Sequence, residues 1–349
     1  MFFVLINFQG VIMIIPIVGS SAVEFWLGPS SAIFTNYAFN MKKSLVSIPE
    51  DFDFLVTADV ARYAAKQLDL KLPLQNFSFS HTHHQCGKAA HVLTRYKSFP
   101  ENSFVKFGLG IHDVYVARPE LCFIQVGRSM DLPNHVNLGI KLTAQYYLQK
   151  ETKAELGRRA FNNLEQKPRA PVATEESLRE YLKIATGEYG VKKARAAARY
   201  VVELSNSPME SAIATMTIVP FDYGGYGMRR FSMNEEVGLS ESAAQYYGYD
   251  RLRGDFLWKN QKLILEYNSN QYHNNDKQHS EDTNRINAFQ KSGYRVVPIT
   301  YKNISTFGEM ENLMSYLMDE LGCPELKFQL ESNQDKRRKL WETLIARKS

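Results

Sequence analysis

Cysteine is scarce in this chain: Cys86, Cys122 and Cys323 are the only three in 349 residues. They are far apart and odd in number, which excludes a disulfide framework and a four-thiolate zinc site. A reducing compartment, the cytoplasm, is therefore the expected location. Charge is missing from the first 23 residues, Glu24 being the first charged residue and Lys42 the first basic one. A secretion signal would open on basic residues. A membrane span needs about 20 cleaner apolar residues, and Asn7, Gln9, Gly10 and Pro16 interrupt this stretch. The reading preferred is a buried strand leading into a helix that starts near Ser20, with no membrane association. A signal or anchor is the alternative, and Met13 an alternative start. A phosphate loop and a dinucleotide fingerprint are also lacking, so no small-molecule cofactor is expected. A large excess of one charge is absent too: a net +5 permits nucleic-acid binding without demanding it.

What is present is an ordinary globular composition and enough chain for roughly two domains. Residues 1–150 mix short strand-like and helical runs, an α+β pattern. Phe54–Thr57 and Asp113–Ala117 read as strands. Asp59–Leu68, Pro119–Ser129 and Leu138–Leu148 read as helices. Residues 151–202 form a polar, proline-containing linker region with two helices, Glu175–Thr186 and Val191–Leu204. In the second, Lys192, Arg195 and Arg199 fall on one stripe, either a solvated basic face or a phosphate-backbone contact. Residues 203–325 form a second domain. Its first helix is signalled by Ser207 as cap, Pro208 at the first position and Glu210 three after the cap. Met228–Val237 holds an irregular strand, Gln278–Ser292 a helix stopped by Gly293, and Tyr294–Thr300 a strand that, because of Pro298, lies at an edge or ends there. Residues 326–349 form a basic amphipathic C-terminal helix that packs its apolar stripe or contacts DNA.

Two alternating apolar runs, Arg251–Trp258 and Leu263–Asn268, flank the short polar break Lys259–Lys262 and read as a hairpin. A turn centred between Asn260 and Gln261 sets Asp255 directly across from Glu266. Like charges in that position destabilise a strand pair. Such a pair is usually given a proton or a cation to share, which points to a divalent metal and to phosphodiester chemistry.

Helix, three strands, helix, strand is the order of these elements, and with their residues it resembles the PD-(D/E)XK nuclease superfamily. The likeness is to its very-short-patch-repair-like and uncharacterised endonuclease-like branch, over roughly residues 203–304. It is carried by Glu210, Asp255, Glu266, the Glu-Tyr-Asn-Ser-x-x-x-His segment ending at His273, the pair Asp282 and Arg285, and Gly293-Tyr-Arg-Val-Val. The resemblance implies a restriction-endonuclease-like core with a mixed sheet. It also implies DNA as partner and Mg²⁺ (or Mn²⁺) held by Asp255, Glu266 and Glu210. Where the superfamily usually has lysine, and this branch aspartate, the chain has Asn268. That residue shares the face of Glu266 by alternation and can offer a carbonyl to a metal, but cannot act as a base. The N-terminal half is more weakly similar to the C-terminal domain of abortive-infection antitoxins, through Arg118-Pro-Glu-Leu-Cys122. That likeness leaves room for a protein partner there.

Asp255 and Glu266 are either a Mg²⁺ site or exposed hairpin carboxylates neutralised by neighbouring basic residues. Glu210 is either a metal ligand or the glutamate of a capping box. His273 is placed for proton transfer or is a surface histidine. Arg285 either contacts phosphate or pairs with Asp282 on the helix surface, and Lys291 is a second candidate cation. His81, His83, His84, Cys86 and His91 lack a recognisable zinc spacing and read as surface residues. Two functions follow: a metal-dependent endodeoxyribonuclease using Asp255, Glu266, Asn268, His273 and Arg285, or an inactive nuclease-fold regulator that binds nucleic acid or acts like an antitoxin.

Overall fold

The computed structural model describes residues 14–34, 45–48, 57–78, 88–94, 98–150, 164–268 and 276–346. The fold is mixed α/β. The chain divides into two units, one of residues 1–129, 147–165 and 176–194, the other of 130–146, 166–175 and 195–349. Among the described residues no helix is long and apolar enough to cross a membrane.

The first unit begins with β1 (Ile14–Ile17) running into α1 (Gly19–Leu27), as expected for that apolar stretch. After β2 (Leu45–Val46) comes α2 (Ala58–Gln67), capped by Thr57, with Val60, Ala61, Ala64 and Ala65 buried at helical spacing. Strands β3 (Leu74–Ser78) and β4 (Ala90–Thr94) pair in parallel. β5 (Phe104–Leu109) and β6 (His112–Ala117) form a hairpin, and α3 (Pro119–Gly127) follows. The four-stranded sheet runs β1-β6-β5-β2, with β1 parallel to β6. Trp26, fully buried, donates its indole N–H to the Ala117 carbonyl at 2.7 Å, tying α1 to the sheet. The Arg118-Pro-Glu-Leu-Cys122 segment is internal packing. Glu120 is fully buried and takes a 2.7 Å hydrogen bond from Arg118, whose guanidinium lies over the Tyr181 ring. The strand expected at Phe54–Thr57 and the residues His81, His83, His84 and Cys86 lie outside the described residues, apart from Thr57, which caps α2. His91 is exposed in β4.

Where a helix over Leu138–Leu148 was expected, α4 spans Leu132–Leu142 and β7 follows at Tyr146–Lys150. Asp131 caps the Asn134 N–H and Pro133 sits in the first turn, so the helix starts earlier than its apolar run suggests. Its end at Leu142 leaves the β-favouring Tyr146-Tyr147-Leu148 free to extend. After β8 (Leu164–Pro168) come α5 (Glu175–Ile184) and α6 (Val191–Ala198), the latter shorter than expected. α4 belongs to the second unit, not with the N-terminal half: it packs on α7 (Pro208–Ile218). The C-terminal helix likewise belongs to this unit.

The second unit continues with β9 (Ser232–Gly238), α8 (Glu241–Tyr247), β10 (Arg251–Trp258), β11 (Leu263–Asn268), α9 (Asp276–Lys291) and β12 (Arg295–Thr300). It closes with α10 (Phe307–Glu320) and α11 (Gln334–Leu344). The sheet order is β12-β11-β10-β9, antiparallel except for the parallel pair β11/β12. Pro298 lies on edge strand β12, as its missing N–H requires. Ala288 and Phe289 of α9 pack on Val237, Leu252, Leu257 and Ile264 of the sheet. Phe256 and Trp258 instead join Phe231, with ring centroids 5.4 and 5.1 Å away. Gly293, at φ +84°, stops α9 in the left-handed region that glycine enters without penalty.

Candidate active site

The hairpin pairs Trp258 with Leu263, Leu257 with Ile264 and Phe256 with Leu265, the register read from the sequence. One step further on stand Asp255 and Glu266, and there the ladder stops. Instead of backbone pairing, each carboxylate takes a backbone N–H from the opposite strand. Asp255 N–H donates to Glu266 Oε1 at 3.2 Å, and Tyr267 N–H donates to Asp255 Oδ2 at 2.7 Å. Beyond this point β10 continues against β9 and β11 against β12, so the hairpin opens as a fork with the carboxylates at its crotch. Gly254 makes the close approach possible: a Cβ there would lie 2.9 Å from Cγ2 of Ile264.

Glu210 enters from α7. Ser207 caps the helix by accepting the Glu210 N–H at 3.1 Å. The Glu210 carboxylate reaches back to the N–H of Asn206, at 2.8 Å, one residue before the cap. This is the reciprocal geometry of a cap, displaced by one residue from the capping box expected. The start of α7 is held from behind by Ser211, whose hydroxyl bonds to those of Ser205 (2.6 Å) and Tyr146 (2.9 Å). Burial pushes the Tyr146 phenol up to about 12, and the nearby Glu210 charge adds to that.

The three carboxyl groups act on one another. Burial raises Asp255 well above the ordinary carboxylate range, and the charges of Glu266 and Glu210 push it further. Burial also raises Glu266, against the lowering by Arg285. Glu210 is raised by burial, against hydrogen bonds from Asn206 and Asn234. Arg285 on α9 supplies the local positive charge. Its Nη2 lies 3.3 Å from Glu266 Oε2 and 3.0 Å from the Arg253 carbonyl. Arg285 therefore forms its ion pair with Glu266 rather than with Asp282.

No family model, curated protein or solved structure matches the chain.

Among the described residues no three acids, histidines or cysteines close on one point as a metal cage would. The residues present still suit a hard cation: buried Glu210 and Glu266 and half-buried Asp255 outnumber the nearby positive charge, at a break in the sheet. A Mg²⁺ ion needs only one or two carboxylates, keeping water and substrate oxygens for the rest. Asn268 is half-buried at the end of β11, beside Thr300 of β12. His273 lies outside the described residues. Lys291 is exposed six residues beyond Arg285, about 9 Å further along the α9 axis. Lys192, Arg195 and Arg199 are exposed on α6 and just after it, and the strongest charges on the carboxylates are one another and Arg285. Arg199 lines a separate open cleft of about 400 Å³ with Tyr200, Phe221, Met228 and Arg230.

Asn234 was not anticipated. It is 6 % exposed, in the interior of β9, with a left-handed backbone at φ +49°. Asparagine is depleted in strands and enriched at positive φ, so its place in an alternating run was the available signal.

Proposed function

We propose that the second unit is a divalent-cation-dependent, nuclease-like domain that hydrolyses phosphodiester bonds in DNA. The observation that carries this reading is the fork. Two strands give up a ladder position so that Asp255, half-buried, and Glu266, buried, stand together within electrostatic reach of Glu210 from another element. A structural role would give such groups positive partners one for one. The order α7, β9, β10, β11, α9, β12 around a mixed sheet, with the short helix α8 inserted between β9 and β10, supports a restriction-endonuclease-like core of the PD-(D/E)XK type.

In this reading Asp255 and Glu266 hold Mg²⁺ or Mn²⁺, with Glu210 completing the donor set. The ion supplies polarisation of the scissile phosphate and lowers the pKa of water. Arg285 leaves Glu266 for a phosphate oxygen, offering a fixed positive charge but no proton acceptor. Asn268 offers a hydrogen bond to substrate or water and cannot take a proton. Proton removal from the attacking water therefore falls to a carboxylate or to His273.

A second reading is a nuclease-fold protein that binds nucleic acid or regulates without cutting. Asn268 favours it, as does the Arg285–Glu266 ion pair, which already neutralises one carboxylate. Incubating single- and double-stranded DNA with the chain and Mg²⁺ or Mn²⁺ decides between them, with Asp255→Ala and Glu266→Ala in parallel. Metal-dependent cutting lost in both variants is the expected result. No cutting by folded wild type, with DNA still bound, would leave the regulatory reading.

A further inference from the structure

Asn234 joins three segments that meet at the carboxylates. The pairs Gly254 with Glu235 and Phe256 with Met233 leave Asn234 opposite Asp255 across β9 and β10, and that position is skipped by the ladder. The Asn234 amide is fully engaged. Its Nδ2 donates to Glu210 Oε2 at 2.8 Å and to the Leu204 carbonyl at 2.9 Å, and its Oδ1 accepts from Asn206 Nδ2 at 2.6 Å. Asn206 in turn donates its backbone N–H to the same Glu210 oxygen. The result is a closed ring of Asn206, Glu210 and Asn234, drawn from the segment before α7, from α7 and from β9.

We propose that Asn234 is a positioning residue that fixes the plane and direction of the Glu210 carboxylate toward Asp255 and Glu266. This rests on the metal-site reading above. Two donors on Oε2 leave the carboxylate little freedom to rotate. The residue type is constrained twice. The backbone must tolerate positive φ, which asparagine does best among residues with a side chain, and the side chain must donate and accept at once. Aspartate meets the first need and fails the second, since an ionised carboxylate donates nothing. Glycine likewise meets only the first, which makes it the cleanest probe.

The test is a double-mutant cycle on the full chain: wild type, Asn234→Gly, Glu210→Gln and the pair, with Mn²⁺ affinity read by titration calorimetry. Asn234→Gly is expected to weaken Mn²⁺ about tenfold, the cost typical of losing a residue that orients a ligand. The same change in the Glu210→Gln background is expected to do little, because the carboxylate being oriented is gone. An equal loss in both backgrounds, or no loss in wild type, overturns the proposal. A wild type that binds no Mn²⁺ sinks the metal reading by itself. The same cycle read in urea unfolding then decides the positioning, which falls if the two substitutions are additive and stands if they are coupled.

Discussion

Two of the places where the second unit buries charge treat it in opposite ways. Near the C-terminus Arg337 of α11 has no exposed side-chain surface, yet every part of it is met. Its Nε bonds to Glu311 Oε1 at 2.9 Å, its Nη1 to the Ser332 carbonyl at 2.7 Å and its Nη2 to the Leu330 carbonyl. The rings of Phe221 and Tyr226 each lie 5.6 Å from the guanidinium carbon. Tyr226 donates its hydroxyl to the same Glu311 oxygen. At the fork, by contrast, Asp255 and Glu266 share one partly exposed arginine, Arg285, while the charge of Glu210 adds to their own. A buried charge with complete partners anchors structure. Buried like charges with too few partners store unfavourable energy, which only a proton or a cation relieves.

Breaking the satisfied site should have the larger effect on folding. Arg337→Met keeps most of the side-chain stem but strands Glu311 and two carbonyls. It is expected to lower stability by about 3–5 kcal/mol in urea melts. A loss under 1 kcal/mol would mean that α11 does not anchor the unit. Next comes the crotch of the fork. Gly254→Ala pushes a methyl group against Ile264 and should cost about 1–3 kcal/mol. Combining it with Ile264→Ala should be less than additive, because the second change removes the atom in the way.

Removing charge from the unsatisfied site should work in the other direction. Asp255 binds its proton more tightly folded than unfolded, so between those two pKa values the folded chain holds the extra proton. Metal-free stability should therefore fall as pH rises from the ordinary carboxylate range through Asp255's raised value. Asp255→Asn keeps an oxygen for the Tyr267 N–H and should flatten this fall. At pH 8 it should be the more stable protein by about 1–2 kcal/mol, a gain typical of removing a functional liability. Chemical unfolding at several pH values measures this, and an unchanged slope would remove the basis for a strained carboxylate cluster.

The same contrast explains what the sequence made legible. Register across a tight hairpin is arithmetic, so Asp255 and Glu266 were placed correctly from their numbers. Ser207 and Pro208 marked the start of α7 through local capping chemistry. Arg337 was hidden, because a basic run at helical spacing looks solvated and nothing local says that Glu311 will be there to meet it. Asn234 was hidden for a related reason: its partners Leu204, Asn206 and Glu210 are 24 to 30 residues away. α4 was misplaced because an apolar run gives the period of a helix but not its start, which Asp131 and Pro133 decide.

Arg285→Gln gives the smallest effect on folding and the sharpest view of the fork. The side chain is 35 % exposed, so the ion pair with Glu266 should contribute no more than about 1 kcal/mol to stability. Its charge lowers both Glu266 and Asp255, however. Without it both carboxyl groups should hold their protons to higher pH. The pH-dependent fall in metal-free stability should then extend further into the alkaline range. The two proposed roles separate on DNA. If Arg285 leaves Glu266 for a phosphate, the slope of log affinity against log salt should shrink by about one in Arg285→Gln. If it only neutralises Glu266, the slope should stay as it is while Mn²⁺ binds the variant more tightly, the competing cation having gone. Either result says whether Arg285 belongs to the scaffold, like Arg337, or to the substrate.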